Sequence, residues 1–338
     1  MKTKRWTAVS SSDKRSIALL SGELFAWGFN HLSGFTQTPI EAISHLPLSP
    51  SDWTHVAAGD RFSLAIREGQ LYLGEEVQAD EDFPAKMLSF SRVGEESDWT
   101  DVSTKGRHFL ALRQGKLYAW GANDDGEVGL GDWKSRPEPV RVGEFSDWTH
   151  ISAGFAHSLA IRNGELYSWG WNIGGQLGIG TSENEHSPVR VGDRSDWQSI
   201  SSGFFHSLGI AGGELYSWGA NSYGQLGLGD AYQKRVPTRV GNQSDWEKAS
   251  AGTNFSQAIR AGELYSWGNN WYGQLNCAKG AEVIVPTRVK TESDWELTSS
   301  GSKHALSIRR GELHGWSTFM RDHFENLELH IYRDLAEQ

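Results

Sequence analysis

The chain has 338 residues, of which 22% are charged, 39 are glycine and 16 are tryptophan, with a net charge of −10. That balance suits a globular fold rich in turns rather than disorder, and it argues against a nucleic-acid or anionic-membrane surface, because both need a basic footprint. No stretch approaches the roughly 20 apolar residues that cross a bilayer. The start of the chain, Met1 to Trp6, lacks the apolar run of a secretory signal, and a single cysteine, Cys277, excludes an internal disulfide framework, so a cytoplasmic protein is expected.

From the first residues onward the tryptophans keep a period. Trp6, Trp53, Trp99, Trp148, Trp197, Trp246 and Trp295 recur every 46 to 49 residues, and Trp27, Trp120, Trp169, Trp218, Trp267 and Trp316 follow them by 21. Seven copies of one repeat result, at about 6–52, 53–98, 99–147, 148–196, 197–245, 246–294 and 295–338, within one domain spanning 1–338. In copy two, Gly74 stands in the second tryptophan slot, and an acidic run from Glu75 to Asp82 reads as a solvated loop. Copy four is the clearest: a strand from Trp148, the turn Gly154 to His157, a strand to Ile161, a hairpin at Gly164, a strand to Trp169, the loop Gly175 to Gly178, and a last strand at Pro188 to Val191. Short alternating runs separated by Gly or Asn read as strands and turns.

A four-stranded unit cannot bury both faces alone, so copies must stack. The predicted fold is all-β, a seven-bladed β-propeller of four-stranded blades, with the indoles packed between blades and their N–H groups on backbone acceptors. Copy seven lacks the Gly-Gln-Leu-Gly loop. The tail segment Leu327 to Tyr332 is predicted to supply the missing strand and close the ring beside the N-terminal copy, with a short helix around Asp334 to Gln338.

Residues that could carry chemistry have simpler periodic explanations. His108, His157, His206 and His304 occupy one repeat position in different blades, which separates them too widely for a metal centre and predicts a ring nitrogen bonded to neighbouring backbone. Cys277 reads as an incidental replacement of a loop glycine. Arg67, Arg113, Arg162, Arg260, Arg309 and Arg310 recur near Asp52, Asp98, Asp147, Asp196, Asp245 and Asp294, a solvated rim in which Asp is expected to accept from backbone N–H groups. No phosphate-binding loop is present, and no catalytic residue, cofactor or metal is expected.

If successive strands alternate in direction, the Gly-x-x-His turns and the Trp-Gly-x-Asn loops share one face, here the loop face, and the tight hairpins lie on the other. Thirteen tryptophans belong to the periodic series; Trp133, Trp171 and Trp271 do not, and all three fall in or beside loop-face segments. Phe155, Phe204, Phe205, Tyr223, Tyr232 and Tyr272 join them, whereas Asp60-Arg61, Thr253-Asn254 and Ser302-Lys303 fill the matching turns elsewhere. Exposed aromatics rimmed by polar groups anchor protein partners. The competing reading is that the rings plug the channel or pack loop on loop.

The motifs Gly-x-x-His-Ser-Leu, Gly-Glu-Leu-Tyr-Ser-Trp-Gly and Asn-x-x-Gly-Gln-Leu-Gly, carried by Gly154 to Leu159, Gly164 to Gly170 and Asn172 to Gly178 and again by Gly203 to Leu208, Gly213 to Gly219 and Asn221 to Gly227, resemble the repeat of the regulator of chromosome condensation family. The resemblance implies the propeller and a disc with protein-binding faces. It also raises the alternative of nucleotide exchange on a small GTPase, although no exchange residue of that family maps onto this chain. The function expected is a non-catalytic scaffold gripping a protein partner through the loop face.

Overall fold

Two-residue hairpins punctuate every repeat, because the residue pair at each one adopts positive φ. Asn163 (49°) and Gly164 (73°) are typical, the primed turn whose twist matches antiparallel strands. The computed structural model describes residues 4–13, 15–28, 52–77, 87–277 and 280–317. Among these residues the chain forms seven antiparallel sheets, each a meander in sequence order. Blade four, for example, comprises Trp148–Ala153, His157–Arg162, Glu165–Gly170 and Glu185–Arg190.

Blades two to six have four strands each, and three are described in blades one and seven. The segment Leu327 to Tyr332, expected to close the ring, and the helix expected at Asp334 to Gln338 lie outside the described residues. The acidic run divides at that limit: Glu75 to Val77 extend the third strand of blade two and pair with Met87 to Ser89, rather than forming a loop, and the remainder is not described.

The core sits between blades. Trp148 and Trp169 of blade four share one buried cluster with Leu110, Leu112, Leu117 and Val128 of blade three. Removing one such indole from water contributes on the order of 4 kcal/mol. In the second series the indole N–H reaches across the junction, from Trp169 to the Glu127 carbonyl and from Trp218 to that of Gln176, each at 2.8 Å. The first series differs from expectation: Trp99, Trp148, Trp197, Trp246 and Trp295 keep buried N–H groups with no acceptor among the described residues. At Gly74 the missing indole is replaced from the opposite strand. Phe90 fills the space so closely that a Cβ on Gly74 would lie 2.7 Å from its ring.

Two sets of hydrogen bonds stitch the blades. At every junction the amide of the first-series tryptophan donates to the hairpin glycine carbonyl of the preceding blade, as in Trp197 to Gly164 at 3.0 Å, and Trp6 to Gly311 at 2.9 Å joins blade one to blade seven. Nearer the axis, a serine hydroxyl accepts from a first-strand amide of the next blade at six junctions: Ser10 from Ala58, Ser103 from Ala153, Ser152 from Ser202, Ser201 from Ala251, Ser250 from Ser300 and Ser299 from Ser11, all at 2.8 or 2.9 Å. At the seventh, between blades two and three, the position is Ala57. The described residues therefore close the ring directly.

Candidate partner-binding face

Antiparallel meanders put the turn after each first strand and the loop after each third strand at the same end, so the predicted aromatics share the loop face. Their loops are held from beneath by buried amides. In blade four the Asn172 carbonyl oxygen accepts from the Leu177 amide at 3.0 Å, its Nδ2 donates to the Glu183 and Thr181 carbonyls at 2.9 and 3.2 Å, and Gln176 Oε1 accepts from the Gly174 amide at 2.9 Å. Asn123, Asn221 and Asn270 do the same in blades three, five and six. The Asn-x-x-Gly-Gln-Leu-Gly motif is thus a rigid loop mount, and residues between its fixed points project from it.

The predicted aromatics divide into two groups. Phe155, Phe204, Phe205 and Trp171 form one continuous, half-buried train: Phe155 stacks on Phe204 with centroids 3.7 Å apart, Phe204 meets Phe205 at 4.4 Å, and Phe205 meets Trp171 at 5.2 Å. Phe155 and Phe204 line the depression at the propeller axis together with Asp13, Asp60 and Thr253, so for these two the channel-plugging reading describes the packing. Further out, Trp271 is 59% exposed and meets half-buried Tyr223 at 5.5 Å, Tyr272 lies under the Lys303 ammonium, and Trp133 is 49% exposed beside His186. Tyr232 is 75% exposed, and Ile173, which sequence reasoning missed, is 65% exposed. Its signal was its place between Asn172 and Gly175, the slot that Trp271 takes between Asn270 and Gly273.

Beneath this face lies a ring of paired side chains that only the assembled blades reveal. Each repeat histidine bonds through Nε2 to a serine hydroxyl of the next blade rather than to backbone: His108 to Ser158, His157 to Ser207, His206 to Ser256 and His304 to Ser16, at 2.8 to 3.0 Å. Ser158, Ser207 and Ser256 spend their own protons on the Glu127, Gln176 and Gln225 carbonyls. For those three junctions Nε2 is therefore the donor and Nδ1 carries a bare lone pair, consistent with Nδ1 having no partner. Burial holds His108, His157 and His206 neutral, with pKa values lowered to about 3, and His304 to about 4. Where the ring residue is Phe62 or Phe255, the facing residue is apolar as well, Phe109 at 5.9 Å or Ala305 in the same cluster.

Other expectations need correction. Asp147 accepts from Arg162 at 2.8 and 2.9 Å, and Asp245 from Arg260 at 2.8 and 3.1 Å, so the hairpin-face aspartates are matched by guanidinium forks more than by backbone. The Arg162 fork holds the Asp147 carboxyl below its ordinary range. Asp196 is bound by Arg194, two residues before it. Cys277 does not take the loop glycine's place; Asn276 does, with φ of 49°. The thiol instead follows one residue later, accepts from the Ser266 hydroxyl at 3.2 Å, and is pushed up by burial.

A ring of seven meander sheets with rigidly mounted loops on one face defines a β-propeller. The profile of the regulator of chromosome condensation (RCC1) repeat matches residues 114–161, 163–210, 212–259 and 261–308, more than half of the chain, and the chain belongs to that family. Among solved structures it is similar to yeast RCC1 (Prp20) bound to Kap60, at 21% identity and a TM-score of 0.74 over 90% of this chain and 80% of that one. It is similar to human WBSCR16 at 19% identity and 0.75 over 91% and 87%. A structure of Prp20p from Saccharomyces cerevisiae, described with its binding to Gsp1p and histones, aligns at 21% identity and 0.72 over 96% and 85%. No curated protein matches the chain by sequence.

Proposed function

We propose that this chain is a non-catalytic platform that binds a partner protein through the loop face of blades three to six. The observation that carries the reading is the set Trp133, Ile173, Tyr232 and Trp271, each about half to three-quarters exposed on loops that buried asparagines hold fixed. Large apolar side chains held rigidly in water are costly to leave uncovered and lose little entropy when covered, which is the economy of an interface anchor. The half-buried train from Phe155 to Trp171 forms the floor beneath the partner.

The test is capture from lysate with mass spectrometry, comparing wild type, the double variant Trp171→Ala with Trp271→Ala, and the hairpin-face variant Arg310→Ala. A prey lost only with the loop-face variant, at an unchanged melting temperature, supports the reading. Prey retained by that variant, or equal loss with Arg310→Ala, overturns it. The relation to Prp20p, described with its binding to Gsp1p, supports a second reading, regulation of nucleotide exchange on a small GTPase. Accelerated release of fluorescent nucleotide from one member of a GTPase panel would favour it, and background rates throughout would reject it.

A further inference from the structure

The residue that opens each Gly-x-x-His turn lies at the axis. It is Gly59, Gly154, Gly203, Gly252 and Gly301 in blades two, four, five, six and seven, where the side-chain-free backbone lets neighbouring turns touch: a Cβ on Gly203 would lie 2.5 Å from the Gly252 carbonyl oxygen. In blade three the position is Lys105, and the glycine is displaced to Gly106, where a Cβ would lie 1.9 Å from the Phe155 carbonyl oxygen.

The half-buried lysine lines the axial depression with Asp13, Asp60, Phe155 and Phe204. Its Nζ crosses to the far side of the ring, donating to the Ala251 carbonyl of blade six and lying 3.4 Å from the Ser202 carbonyl of blade five. No carboxylate pairs with it among the described residues. Burial lowers the amine to about 8, so at neutral pH the group is still mostly a cation, and main-chain carbonyls are its hydrogen-bond acceptors. His157, His206 and His304 lie close enough to feel its charge and stay neutral.

Ser202 and Ala251 both end a first strand, immediately before the turn glycine. The two carbonyls hold one repeat position in neighbouring blades, and carbonyl dipoles are how proteins replace the hydration shell of a monovalent cation. We propose that this pair of axial carbonyls is a cation site for the ammonium class, occupied in this chain by its own Lys105. The tether makes occupancy independent of dissolved ions, and it ties blade three to blades five and six across the ring.

Emptying the site tests the assignment. Lys105→Gly restores the residue that five other blades carry there, and Lys105→Met fills the space without charge. Melting is followed by tryptophan fluorescence in sodium, potassium, ammonium or methylammonium chloride at one ionic strength. Wild type should melt alike in all four, and Lys105→Gly should melt about 5 °C lower or more in sodium. Methylammonium or ammonium should restore at least half of that loss saturably, as a ligand specific to the native state does, and Lys105→Met should gain nothing from either. If Lys105→Gly is unfolded in sodium, recovery of native fluorescence on adding methylammonium is the same readout. A Lys105→Gly protein that is as stable as wild type or that melts equally in all four salts, or a Lys105→Met protein that matches wild type, overturns the proposal.

Discussion

Acid should open this ring at its histidines. In the unfolded chain a histidine has an ordinary pKa near 6.5, and at about pH 5 protonation favours that state by about 2 kcal/mol per residue. The folded forms of His108, His157 and His206, lowered to about 3, and of His304, lowered to about 4, gain almost nothing at that pH. Because the folded values lie below the unfolded one, the stabilisation is complete above about pH 6.5 and falls away as pH drops toward the folded values. Four such residues together withdraw about 8 kcal/mol at about pH 5, comparable with the whole stability of an ordinary domain. Burial raises Asp101 to about 6 and raises Glu127 as well, so these two oppose the loss without reversing it. The perturbation that isolates the effect is His157→Phe with Ser207→Ala, which copies the Phe255 and Ala305 junction already present in the ring. Urea unfolding at about pH 7.5 and about pH 5 should show the double variant losing about 2 kcal/mol less than wild type between the two pH values. An identical loss in both proteins would refute the reasoning, since the titrating group would then lie elsewhere.

Two further outcomes follow from the repeat's own exceptions. Ala57→Ser should add the missing seventh serine bond, to the Thr104 amide, and raise unfolding stability by about 1 kcal/mol; a lower urea midpoint would show that the site cannot hold a hydroxyl. Glu127 stands where Gln176, Gln225 and Gln274 stand in other blades and accepts from the Asp125 amide at 2.8 Å, with its pKa raised by burial and then by Asp125 and Asp124. A raised acid stabilises the fold below its unfolded value and loses that contribution as pH rises through the folded one. Glu127→Gln should therefore stabilise at neutral pH, with the gain shrinking toward about pH 4. A gain independent of pH would assign it to packing instead of charge.

Much of the architecture was legible because it is written locally and repeated. The tryptophan period, the alternation within each run and the positive-φ hairpin pairs lie within single copies, and a unit that cannot bury both faces leaves radial stacking as the outcome. The face of Trp133, Phe155, Trp171, Phe204, Phe205, Tyr223, Trp271 and Tyr272 was legible for the same reason: direction reverses at each turn. Their depth was not. Phe155 and Phe204 converge on the axis while Trp133 and Trp271 stand in water, and that follows from ring closure, which places turns near the centre and longer loops near the rim.

The contacts that join blades were beyond a reading of one copy. A histidine and the serine it needs lie about 50 residues apart, and their match becomes visible only when adjacent copies are compared in register. Lys105 carried no sequence signal of its own, because nothing in its repeat specifies carbonyls two and three blades away. Sequence by itself determined the repeat unit, its strands and the faces of the disc. Tertiary structure alone decided what meets at the axis, because seven distant segments share that space only after the circle has closed.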